Sequence, residues 1–403
     1  MSTFVKFIET NILYEILIVS WLLFFWKFYL SLRQRSLIIR LVELPKDVEG
    51  LMTKDVYDKA RAYALDKVNF NNFMDVYSEL CTTVFLLTLC YRRFWLWSIN
   101  VVNYFGFDDK NEILLSAVSM FIINIVYDVL HLPLDIYSTF IVEQKHGFNK
   151  ETPLFFVKDR LLKFIVREII VVPLLCTVIW IIENGGDYFF FYLWIFLIFA
   201  SLFIMILYPD SSKRSSHSNA YLYGFHKYKR IVLFDTLVKE YYKPTENETE
   251  AKGCETDEVL AILAHELGHW KYSHTLKGFM LGQLCFLINI YLYAKFVNYK
   301  PMFEAFGFMN SQPTFIGLII VTMYILIPLN ALLQFITVVL GRKYEFEADR
   351  FAKTLGHGEA LKSSLIKLHK DNLSYPLFDK LYSSWHHNHP ELLERLEAIN
   401  KED

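Results

Sequence analysis

The stretch His265-Glu266-Leu267-Gly268-His269 sets two imidazoles four residues apart. On a helix they share one face and can hold a single zinc ion. Glu266 follows the first histidine, where it can reach a zinc-bound water without occupying the metal, the general-base position of hydrolases with this spacing. Five residues with three fixed recur by chance, and an amphipathic helix with two incidental histidines explains a bare match equally well. A third protein ligand decides, because a catalytic zinc takes three and leaves its fourth position to water. In Arg342-Lys343-Tyr344-Glu345-Phe346-Glu347-Ala348-Asp349, Glu345 and Asp349 are again four apart. Glu345 fits the third ligand, and Asp349, one turn on, can accept the N–H of a ligating histidine and fix its tautomer. Glu347 faces elsewhere and reads as solvated.

Three other polar groups carry less. The run Ser211 to Tyr221 is too hydrophilic to cross a membrane and reads as a loop. Trp385-His386-His387-Asn388-His389-Pro390 holds three histidines before an amphipathic helix from Glu391 to Ile399, and by itself it reads as a solvated cluster. Asp128, His131 and Asp135 fall in or at the end of an apolar run, where ionisable groups face a polar interior rather than lipid.

The elements that must position these residues are helices. Between Glu258 and His274 there is no proline and Gly268 is the one poor helix former, so a helix is expected. Hydrophobic residues make up 54% of the chain and aromatics 17%, more than a soluble core needs. Apolar runs long enough to span a bilayer occur near 11–30, 74–91, 113–133, 162–182, 188–208, 276–297 and 314–340. Seven spans follow.

Lys213, Arg214, Lys227, Lys229, Arg230, Lys239, Lys243, Lys252 and Lys271 gather in 209–275, which makes that segment cytosolic. Alternation then places the N-terminus in the lumen and 342–403 in the cytosol, so His265, His269 and Glu345 share a side. Arg92 and Arg93 fit poorly, since they would end the second span in the lumen. The expected divisions are 1–208 with five spans, 209–275 with a short strand at Arg230 to Phe234 and the zinc helix, 276–341 with two spans, and a helical tail 342–403. A net charge of −2 with dispersed basic residues argues against nucleic acid as a partner. Five cysteines without a close pair indicate neither a disulfide framework nor a thiolate metal site.

The sequence resembles the type I CAAX prenyl endopeptidases, integral membrane zinc metalloproteases of the endoplasmic reticulum and nuclear membrane. The likeness covers nearly the whole chain in five ordered blocks: Tyr137 to Phe140 with His146 to Lys150; Ser212 to Tyr221 with Arg230 to Leu237; His265 to Trp270; Glu345 to Asp349; and His389-Pro390 with Glu394-Arg395-Leu396. It implies a mainly α, polytopic fold of seven transmembrane helices around an internal water-filled chamber, with a cytosolic zinc domain and one Zn2+ per chain. The activity implied is removal of the C-terminal tripeptide from farnesylated CAAX proteins, prelamin-like or pheromone-precursor-like, with a second upstream cut in some relatives. The implied location is the endoplasmic reticulum and inner nuclear membrane.

By position, His265, His269 and Glu345 match the zinc ligands, Glu266 the catalytic base and Asp349 the aspartate of its motif. Asn219 matches an asparagine of the substrate groove, and His389 and Arg395 match tail residues that approach the active site. The chain departs from the family before Ser212, where relatives carry several tens of further residues. Two rival readings therefore stand beside this one: a membrane quality-control metalloprotease acting on non-prenylated or translocon-clogging proteins, and an inactive shortened form serving as a membrane scaffold.

Overall fold

A computed structural model describes residues 3–207, 220–223, 230–234, 236–240 and 253–401. Its first helices are α1 (Thr3–Arg40), α2 (Lys54–Leu87), α3 (Cys90–Tyr104), α4 (Glu112–Tyr137), α5 (Pro153–Asn184) and α6 (Phe189–Leu207). Strands β1 (Ala220–Tyr223) and β2 (Arg230–Leu233) pair antiparallel, with Ala220 opposite Leu233 and Tyr223 opposite Arg230. Then come α7 (Thr256–Lys271), α8 (His274–Phe296), α9 (Lys300–Ala305), α10 (Thr314–Ile319), α11 (Ile327–Thr354), α12 (Gly358–Asp371), α13 (Lys380–His386) and α14 (Leu392–Asn400).

Among the described residues, five helices are long and apolar enough to cross a membrane: Asn11–Arg40, Glu112–Glu143, Pro153–Asn184, Gly186–Met205 and His274–Phe296. Two further stretches are broken. Lys54–Leu87 meets Cys90–Tyr104 at 66°, and Thr314–Ile325 meets Ile327–Thr354 at 60°. The expected seven spans are reached when each bent pair counts as one. The first bend turns on Leu89, whose φ of 54° is a left-handed conformation that no apolar residue favours. Arg92 and Arg93 therefore lie in the first turn of a separate helix, not at the end of a straight span. Leu22, Val129, Ile169 and Phe199 are exposed, as side chains in contact with lipid must be.

The chain divides into two compact units. In Met1–Lys27, Asn71–Ile198 and Leu284–Ala331, the core gathers Ile16, Leu86, Trp95, Phe303, Phe306, Ile316 and Ile320. Two aspartates of α4 are paired there: Arg167 donates to both oxygens of Asp128 at 3.0 and 2.8 Å, and Arg160 lies 2.9 Å from Asp135. Pairing across α4 and α5 offsets the cost of ionised groups in apolar segments. In Phe28–Phe70, Phe199–Gln283 and Leu332–Asp403, one core joins Ala261 and Ala264 to Ala352, Leu361, Leu365, Leu392, Leu396 and Ile399. That core clamps α7, α11, α12 and α14 together, and α7, α11 and α14 carry residues of the candidate site.

Candidate metal centre

Helix α7 is fixed at its start by a capping box. The Glu255 side chain accepts from the backbone of the third helical residue, Glu258, whose carboxylate accepts the Glu255 N–H at 2.7 Å. Glu258 also accepts from Ser363 at 2.6 Å and Lys367 at 3.0 Å, which ties α7 to α12. Burial works against the ionised Glu258, but these hydrogen bonds outweigh it and hold its pKa below the ordinary value.

At the other end, Gly268 explains its own presence in the motif. A Cβ there would lie 2.9 Å from the Ala348 Cα, so only glycine lets α7 approach the backbone of α11 this closely. Helix α11 runs unbroken to Thr354 and thereby carries Glu345 and Asp349 past the end of the apolar stretch to face the two histidines.

His265 Nε2 and His269 Nε2 are 3.1 Å apart. Glu345 Oε2 is 3.5 Å from His265 Nε2, and Oε1 is 3.3 Å from His269 Nε2. These residues form the group whose ligand atoms all lie within 4.8 Å of one another. Tetrahedral zinc with ligands at about 2.0–2.1 Å has edges of about 3.3 Å, so the donor set fits that ion in chemistry and in spacing. Glu345 Oε2 is buried and has no partner in hydrogen-bond geometry, an acceptor that a cation would satisfy.

Asp349 stands behind His265. Its Oδ1 is 2.8 Å from His265 Nδ1, so the ring donates from Nδ1 and turns Nε2 toward the other ligands. Arg395 in turn holds Asp349, donating from Nε to Oδ2 at 2.8 Å and from Nη2 to Oδ1 at 2.6 Å. Burial opposes a charge on His265, yet Asp349 and Glu345 outweigh it and push its pKa up to about 9. The pocket favours a cation.

Glu266 is buried beside His265, and its carboxylate makes no ion pair or hydrogen bond among the described residues. His389 Nδ1 approaches Glu345 Oε2 at 3.0 Å, while its side chain stays 65% exposed. The loop carrying His389 is seated on α11, where a Cβ at Gly341 would lie 3.1 Å from Asn388 Cβ and Arg342 donates to Ser383 at 3.2 Å and pairs with Glu394. His387 is tied to Glu391 at 2.5 Å. The cluster is thus ordered on its neighbours. Arg395, expected to touch substrate, is buried against Asp349. Asn219 lies outside the described residues.

Two expectations are corrected. The helix ends at Lys271, because Ser273 adopts φ 55° and His274 opens α8. Glu347 is half-buried rather than solvated, and its Oε2 lies 2.9 Å from Nε2 of His274. Neither partner was singled out by spacing. The signal was a third histidine five residues after His269 with an acid two after Glu345.

The chain is similar to known proteins over nearly its whole length. Residues 34–211 match the family model described as the CAAX prenyl protease N-terminal region of five membrane helices, and 208–403 match peptidase family M48. The mouse and human proteins named CAAX prenyl protease 1 homolog are each 38% identical, with alignments covering 97% of this chain and 96% of theirs. Those alignments run over 454 positions against the 403 residues here, so both relatives carry segments that this chain lacks. A solved structure, that of S. mikatae Ste24p, superposes with a TM-score of 0.86 at 28% identity, covering 96% of this chain and 98% of that one. The chain is a multi-pass membrane protein and belongs to the CAAX prenyl protease 1 family of M48 metallopeptidases.

Proposed function

We infer that the protein is a zinc-dependent endopeptidase that removes the C-terminal tripeptide from farnesylated CAAX proteins of prelamin-like or pheromone-precursor-like type. The observation that carries this reading is the convergence of His265, His269 and Glu345 within 4.8 Å beside a carboxylate, Glu266, that is committed to nothing else described. The names of the relatives support the substrate class. The basic residues of 209–275 support an orientation with the site on the cytosolic face of the endoplasmic reticulum and inner nuclear membrane and the N-terminus in the lumen.

His265 Nε2, His269 Nε2 and a Glu345 oxygen would hold the ion. When bound, zinc acidifies a water and polarises the scissile carbonyl. Glu266 takes a proton from the attacking water on its carboxylate and returns it to the departing amine. His389, exposed at the rim, is available to donate to the peptide or to the carbonyl oxygen as it gains charge, a contact worth about a hundredfold in rate. Asp349 acts through His265, and Arg395 through Asp349, so both are positioning residues. Asn219 is proposed for the substrate groove on resemblance alone.

The test is zinc content with turnover. Purified protein should hold one zinc per chain, and Glu266→Gln should keep the zinc while losing about 10²–10⁴-fold in kcat. Turnover unchanged in that variant would overturn the assignment.

A further inference from the structure

Four histidines meet at the site, and the mechanism above uses three, leaving His274. His274 is 5% exposed, and its Nδ1 lies 3.0 Å from Nδ1 of His269. Its Nε2 lies 2.9 Å from Glu347 Oε2. We propose that His274 and Glu347 are positioning residues of the metal centre, a second chain of hydrogen bonds that fixes His269 as Asp349 and Arg395 fix His265. This inference rests on the zinc reading given above.

The proton positions follow from chemistry. With Nε2 of His269 turned toward His265 and Glu345, a neutral His269 carries its proton on Nδ1 and donates it to His274 Nδ1. His274 must then carry its own proton on Nε2, which it donates to the Glu347 carboxylate. Each link has one donor and one acceptor, and no other arrangement keeps both rings neutral with Glu347 ionised. Lys343 Nζ lies 3.7 Å from Glu347 Oε1 at the far end of this chain.

The backbone and packing are built for this contact. Were α7 to continue, residue 274 would sit five positions after His269, off its face. The left-handed Ser273 breaks the helix, and Ser273 N–H donates to Trp270 O at 3.1 Å, a C-terminal turn of the kind glycine usually makes. The chain so reversed returns His274 against His269. Its ring is stacked on Tyr344 at 4.3 Å and 13°, and on Tyr272 at 5.8 Å and 28°, which leaves the plane little freedom. Acceptors behind a ligating histidine are worth about 10–100-fold in metal affinity.

The acceptor and the stacked ring can be separated. His274→Phe keeps a flat ring between the two tyrosines and removes the acceptor. His274→Asn loses the ring but sets a carbonyl oxygen where Nδ1 stood. Zinc affinity of the full-length protein in detergent, read by competition with a chromophoric chelator, should fall about 10–100-fold in His274→Phe and recover to within a few-fold of the parent in His274→Asn. A purely packing role gives the opposite order, and that order, or an unchanged affinity in His274→Phe, overturns the proposal. Glu347→Ala leaves the stacked ring alone and serves if His274→Phe does not fold. It should weaken zinc in the parent and have little further effect in His274→Asn, whose amide N–H groups stop short of the position from which Nε2 reaches Glu347, and an unchanged affinity in the parent overturns the proposal. A parent protein that binds no zinc, or a His269→Ala variant that binds it as tightly, would instead refute the ligand set itself.

Discussion

At the scale of residues, the site is a set of buried charges that make sense only together. Glu345 and Asp349 bring two carboxylates into α11 with 5% and 1% exposure, and each is balanced by histidine or arginine. Arg395 illustrates the stakes, since it holds both oxygens of Asp349, at 2.8 and 2.6 Å. Replacing it with Met leaves a buried carboxylate half paired, which costs about 3–5 kcal/mol when a buried pair is broken and lets His265 turn. We expect Arg395→Met to lower both thermal stability and zinc retention, measured by thermal unfolding and metal content; full stability would mean that Arg395 does no more than line the site. The convergence of the proposed ligands His265, His269 and Glu345 was legible in sequence because spacing on a helix converts directly into shared direction. Glu347 was not, because its partner is reached across a helix break that has no sequence mark.

At the scale of elements, the site depends on how closely α7 and α11 approach and on how firmly α7 is anchored. Gly268→Ala would gain about 1 kcal/mol in helix propensity, but its new methyl would meet backbone at 2.9 Å, and overpacking of this kind costs about 1–3 kcal/mol. The variant should be less stable and bind zinc more weakly as Glu345 retreats from the histidines; zinc affinity equal to the parent would show that the two helices can give.

The Glu258 anchor has a pH signature. Its folded pKa is depressed, so its contribution is fully present above the unfolded value of about 4.3 and is lost as pH falls through the folded pKa. The stability gap between the parent and Glu258→Gln should be widest at neutral pH and close in acid, as thermal melts across pH would record. Apolar run length announced most long helices, whereas the bends at Leu89 and before Ile327 were hidden. Nothing local in a leucine predicts a left-handed turn, and such a conformation persists only because the surrounding packing imposes it.

At the scale of the whole molecule, five single helices and two bent pairs carry a hydrolytic centre that must act on a polar peptide bond near a lipid-bearing cysteine. Charge distribution and hydropathy gave that outline, and the likeness to CAAX prenyl proteases narrowed the substrate, which helix spacing alone does not encode. The mouse and human alignments run over 454 positions against 403 residues here, and by resemblance the shortening is expected before Ser212, away from His265, Glu266, His269 and Glu345. The most direct test is therefore cleavage of a farnesylated CAAX peptide by the purified full-length protein, with the products identified by mass. Release of the C-terminal tripeptide is expected from the farnesylated peptide, and little or none from the same peptide without its lipid or from the Glu266→Gln variant. Equal cleavage of the unprenylated peptide, or no cleavage by a protein that holds its zinc, would contradict the account.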